Sequence, residues 1–167
     1  MVDQLIDLTM SWLRAFTAGL SRFRSRANRA PLLVLADALA VLGHDPDAAC
    51  NDKRSQSDVV PLARIAGTLA LAADFDRAFR PLNPEVRARR DRLARTHHDA
   101  RAWTPIRLIQ LGELYFVDDG HHRIALAHQR SQRSVDAAVH RMCTVRWVPA
   151  TLTHRDLGDL ANRSLAP

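Results

Sequence analysis

The stretch Tyr115–Arg130, YFVDDGHHRIALAHQR, constrains the fold more than any other. An apolar strand-forming run ends in two aspartates and a glycine, and helical spacing begins at once. A chain that does this sets a helix N-terminus at the end of a sheet strand. Gly120 permits a backbone angle or a close approach that a side chain would block. The first amides of such a helix have no intrahelical partner and lie at the positive end of its dipole, a geometry that accepts phosphate or carboxylate. Arg123, in the first turn, can add a bidentate charged contact. His121 and His122 can donate hydrogen bonds or shuttle a proton near neutral pH. Asp118 and Asp119 sit at the rim, able to cap the helix, hold a metal or act as a base. The same pattern also occurs as plain turn chemistry, with Asp119 as N-cap and Gly120 as the turn, and both readings stay open at this point.

The flanking sequence predicts an α+β domain, a small mixed β-sheet with surrounding helices, preceded by an N-terminal helical arm. Leu5, Ile6, Thr9, Leu13, Phe16, Leu20 and Phe23 recur at helical spacing over Val2–Asn28. Pro31 can open a second helix, Leu32–Leu42, closed by Gly43. The loop HDPDAACNDKRSQSD then places a boundary around residues 44–58, giving an arm and loop over 1–57, a main domain over 58–150 and a C-terminal helix over 151–167. Val59 and Val60 read as a short strand that Pro61 confines to an edge or an end. Asp74–Phe79 reads as a helical turn stopped by Pro81, and Glu85 to about Asp99 as an arginine-rich helix. Ile106–Gln110 and Leu114–Val117 flank Gly112 as a hairpin, followed by a helix from about His122 to Arg130. Val135–Val139 is a further strand and Thr144–Val148 another. Thr153 or Asp156 can cap a last helix carrying Leu157, Leu160 and Leu165 on one face.

Composition narrows the class. With 167 residues, 47% hydrophobic and 25% charged, the chain can bury a core without staples, which excludes a disordered or disulfide-dense scaffold. No run of eighteen or more uncharged apolar residues exists, so no integral membrane span is expected. Asp3 and Asp7 sit where a secretion signal needs positive charge, which makes the cytoplasm the expected compartment. Cys50 and Cys143 form no CxxC pattern and are expected as free thiols. The net charge of +6 permits phosphate-rich partners, nucleic acid included. The arginines that supply it are spread along the chain. His121 and His128 are seven apart, but no cysteine or glutamate completes a metal-ligand spacing, and no metal site is assigned. His97 and His98 are expected in solvent, and Trp12, Trp103 and Trp147 in a core or interface.

Taken together, Val59–Ala66, DFDRAF, PIRLIQLGELYFVDDGHHRIALAHQ and VDAAV resemble the ParB/sulfiredoxin superfamily over roughly residues 58–140. The resemblance is nearest to short bacterial ParB-like nuclease-domain proteins. It implies a nucleotide or phosphate-ester site at Gly120, His121, His122 and Arg123, served by a nucleotide with magnesium. Gly120 and Arg123 match the box shared by the family, and His122 matches the histidine before the sulfiredoxin arginine. His121 stands where sulfiredoxins carry the catalytic cysteine and partition proteins a glutamate, so reductase chemistry is not expected. Too few residues follow the last matched strand for the helix-turn-helix of a partition protein. Asp119 and His121 are the candidate catalytic groups, with Asp118, Asp74 and Arg77 as second-rank site residues. Binding of a nucleotide or phosphate ester at this turn is the leading expectation, with phosphotransfer or hydrolysis as the activity such a site could add. The alternatives are a DNA-binding or nuclease-like module, and a non-catalytic interaction protein that works, or dimerises, through its N-terminal helix.

Overall fold

A computed structural model describes residues 30–52, 54–69, 72–96 and 104–164. The expected helix over Val2–Asn28, together with Trp12, His97, His98 and Trp103, lies outside the described residues.

The described residues form an α+β fold with a six-stranded mixed sheet and four α-helices. The strands are β1 (Leu33–Val34), β2 (Gln56–Pro61), β3 (Ile65–Thr68), β4 (Ile106–Leu111), β5 (Leu114–Asp119) and β6 (Ser134–Met142). The helices are α1 (Leu35–Leu42), α2 (Pro84–Thr96), α3 (His121–Gln129) and α4 (His154–Ser164). The sheet order is β1-β3-β5-β4-β6-β2. β5 runs antiparallel to β4 through the expected hairpin and parallel to β3 on its other side. β6 runs parallel to β4 and antiparallel to β2.

Side chains alternate across a strand, so each strand feeds two layers. Ile65, Leu108, Val117 and Val139 enter a cluster with Phe75, Phe79, Val86 and Ile124, under α2 and α3. Ala66, Leu111, Leu114 and Phe116 enter a second with Leu35, Leu42, Val148 and Leu157, under α1 and α4. Phe116 is wholly buried, and Gly67 exists to admit it: a Cβ on Gly67 would stand 2.2 Å from the Phe116 ring and 2.8 Å from the Leu33 carbonyl oxygen. Truncating an aromatic ring in such a site costs about 3–5 kcal/mol.

Four sequence expectations are corrected here. Residues 31–57, assigned to an arm, supply β1, α1 and the start of β2, because Leu33 and Val34 pair with Gly67 and Thr68 rather than starting a helix. Residues 144–148 do not form a strand: the Val145 and Arg146 amides turn to the Gly43 and Leu42 carbonyls, at 3.1 Å each, and satisfy the end of α1. Trp147 is 72% exposed, which removes it from the core but not from an interface. Cys50 and Cys143 are joined in a disulfide across 93 residues, with Cα atoms 6.1 Å apart, inside the range a bridge requires. The loop before β2 is zipped onto the end of β6, which brings the two thiols together: Cys143 N donates to Asn51 Oδ1 at 2.8 Å, and Asp45 N to the Cys143 carbonyl at 3.2 Å.

The last helix starts as expected. Thr153 and Asp156 form a reciprocal cap, with Asp156 Oδ2 accepting from the Thr153 amide at 2.8 Å and from its hydroxyl at 2.7 Å. Among the described residues no helix is long and apolar enough to cross a membrane.

Candidate functional site

β5, an interior strand, ends at Asp119, Gly120 reverses the chain, and α3 begins at His121. Gly120 holds φ +117, in the left-handed region, and a Cβ there would stand 2.5 Å from Ile106 Cγ2. Both facts demand glycine. Gly120 is the N-cap, with no side-chain cap bond, and the first helical hydrogen bond runs from the Ile124 amide to the Gly120 carbonyl at 2.9 Å. The amides ahead of it are left for a partner from outside the helix. Asp119 does not cap the helix, because its carboxylate reaches forward to Arg123 instead, at 2.6 Å. Asp118 does not cap it either; it pairs with Arg107 Nε at 2.9 Å, away from the turn.

A cavity of about 570 Å³ opens over this turn. Asp119, Gly120, His121, His122 and Arg123 form one wall, Asp74 and Phe75 a second, and Arg89, Arg92, Leu93 and Thr96 of α2 a third. Of the residues expected from sequence, the cavity therefore gathers the Asp119–Arg123 turn and Asp74. It leaves out Asp118 and Arg77; the half-buried Arg77 guanidinium is lowered by desolvation, opposed by Asp156. Sequence reasoning missed the α2 wall. The signal was there: Arg89, Arg92, Leu93 and Thr96 fall at i, i+3, i+4 and i+7, one face of a helix.

The histidines are seated by aromatic rings. Phe75 stacks on His121 with centroids 5.8 Å apart and meets His122 edge-on at 5.3 Å. The His121 Nε2 also shares a 2.7 Å hydrogen bond with the hydroxyl of Thr68, itself fully buried on β3. Burial pushes the His121 imidazole below its ordinary value, helped by His122 and opposed by Asp119, Asp74 and Asp118. Burial does the same to His122, helped by Arg89 and opposed by Asp74. At pH 7 both rings are therefore neutral and act as hydrogen-bonding groups rather than cations. His122 Nδ1 is buried with no hydrogen-bond partner among the described residues.

Arg123 is braced. Its guanidinium donates to the carbonyl and hydroxyl of Thr104 and to Asp119, and its side chain is only 14% exposed. The carboxylates near the turn are likewise engaged, Asp119 by Arg123, Asp118 by Arg107 and Asp74 by the Asn83 side-chain amide at 3.1 Å. Among the described residues no three histidines, cysteines or carboxylates converge as a metal-ligand group. His121 and His128, seven residues apart, are separated by the Phe79 ring rather than converging.

No protein-family model matches the chain, and no curated protein sequence matches it significantly. A solved structure, sulfiredoxin from Arabidopsis thaliana, is similar at 15% identity and a TM-score of 0.34, over 53% of this chain and 88% of that one.

Proposed function

We propose that the cavity between α2 and the first turn of α3 binds a nucleotide or other phosphate ester. One juxtaposition carries this reading: a helix N-terminus uncapped among the described residues, reached over a glycine, faces two arginines on a neighbouring helix across a cavity large enough for a small ligand. The open amides and Arg123 take one phosphate, and Arg89 and Arg92 supply charge for a second anionic group. Phe75 and Leu93 give the ligand an apolar surface. His122, on the cavity wall, supplies an imidazole that orients it. His121, neutral and held by Thr68, is the group we assign to proton transfer should a phosphoryl group be passed on or hydrolysed.

A thermal-shift series with nucleoside mono-, di- and triphosphates on wild type, Arg92→Ala and Arg123→Ala tests this. A ligand at a hundredfold excess over its Kd stabilises the fold by about 2.7 kcal/mol. The expected result is a shift in wild type that is reduced in both variants. No shift with any nucleotide, or one equal in all three chains, rejects the assignment.

A second reading rests on α2 itself, where Arg87, Arg89, Arg90, Arg92 and Arg95 outnumber Glu85 and Asp91. Such a row suits a polyanion, and a nucleic-acid ligand would lose affinity steeply with added salt as counterions are released.

A further inference from the structure

The α3 histidine that does not line the cavity carries the inference. His128 lies two turns along α3 from His121 and on the same helix face, stacked on Phe79 at 6.1 Å and 13°. Its Nε2 is buried with no hydrogen-bond partner among the described residues. A buried imidazole nitrogen without a partner can stay neutral, but it cannot take up a proton there without stranding a charge.

Phe79 is the pivot. It holds φ +54, a left-handed conformation that a bulky residue adopts only when its surroundings impose it. Its ring is fully buried and touches Phe75 and His121 as well as His128. The turn around it is tied by Asp76, whose Oδ1 accepts from the Ala78 amide at 3.0 Å and the Arg80 amide at 2.9 Å, while its Oδ2 accepts from Arg80 Nε at 2.7 Å. This turn continues directly from Asp74 and Phe75, the second wall of the cavity. His128, Phe79, His121 and Phe75 thus form one unbroken line of rings from the C-terminal end of α3 to the cavity.

We infer that His128 is an acid-sensitive latch: in its neutral form it clamps Phe79 and so holds the 74–81 wall in place, and a proton on its ring releases that wall. The charge facing it is Asp76, already engaged by two amides and Arg80. The groups that act on the other two rings, Asp74, Asp118 and Asp119 on His121 and Arg89 on His122, lie at the turn end of the helix. Burial lowers the His128 imidazole, and Asp76 opposes this without overcoming it. The unfolded chain binds this proton near pH 6.5 and the folded chain only below that, so the latch is fully stabilising above about pH 6.5 and weakens as pH falls. None of this depends on which ligand the cavity holds.

The test compares full-length wild type with His128→Phe, which keeps a ring on Phe79 but cannot be protonated. Melting temperature and hydrogen exchange of the 75–80 amides, corrected for intrinsic rates, are measured at pH 7.5 and 5.5. The expected result is a loss of several degrees more in wild type than in the variant, with the 75–80 amides losing protection in wild type alone. Equal losses in both chains overturn the inference. If His128→Phe does not fold, His128→Gln replaces it and the wild-type ring is titrated by NMR. A His128 resonance moving at or above pH 6.5 overturns the inference equally.

Discussion

Asp119, the last residue of β5, accepts a hydrogen bond at 2.6 Å from Arg123 in the first turn of α3, spanning the glycine that joins strand to helix. The bond orders the turn, and it also sets a negative charge beside the arginine that an incoming phosphate would seek. The Asp119 side chain is 58% exposed, so the pair contributes little to stability, on the order of 0–1 kcal/mol. Under the proposed function its effect would fall on binding.

Asp119→Asn is therefore expected to tighten binding of a nucleoside triphosphate, by about two- to fivefold, because the arginine keeps a neutral partner and the local repulsion disappears. Arg123→Ala is expected to weaken it about 10- to 100-fold, the range for loss of a charged hydrogen bond. Isothermal titration at fixed salt distinguishes the two. If Asp119→Asn weakens binding instead, the carboxylate contacts the ligand directly.

Gly120→Ala and Gly158→Ala form a matched pair. At Gly120 the left-handed φ and the Ile106 side chain both oppose a Cβ, and urea denaturation is expected to show a loss of about 1–3 kcal/mol. Gly158 lies within α4 with no described residue within 4 Å of a Cβ position, so alanine there is expected to stabilise by up to about 1 kcal/mol.

The cap of α4 predicts a pH signature. Hydrogen bonds from Thr153 hold the Asp156 carboxyl below its ordinary value, so the cap stabilises fully above about pH 4 and fades as pH falls further. Thr153→Ala is expected to cost about 0.5–2 kcal/mol at pH 7 and progressively less below pH 4, read from denaturation curves across that range.

The Cys50–Cys143 bridge closes a long loop, and its loss is expected to cost about 2–4 kcal/mol. Cys143→Ser, or a reducing agent on wild type, should lower the melting temperature to a similar degree. A melting temperature indifferent to dithiothreitol would show that the thiols are not bridged.

What could be read from the sequence was local. The β4–β5 hairpin, the Gly120 turn and the α4 cap each carry their signal within a few residues, through alternation, a glycine or a Thr–Asp spacing. What escaped was made by distant partners. Leu33 and Val34 look helical until β3 pairs with them, and the meeting of Cys50 with Cys143 depends on the end of β6. Arg89 and Arg92 join the site only because α2 crosses α3. The left-handed Phe79 has no local signature at all, since its conformation is imposed by the Asp76 network and by the rings around it.

The sheet closes with little open edge. β1 is two residues long, and β2 ends in Pro61, which offers no amide proton. The Val59 amide of β2 is already taken by the Asp58 carboxylate at 2.7 Å. Another extended chain laid along β2 would find two of its donors missing and a carboxylate in the way. The β2 edge thus resists templated aggregation, through a proline that ends the strand and an Asp58–Val59 contact in its middle.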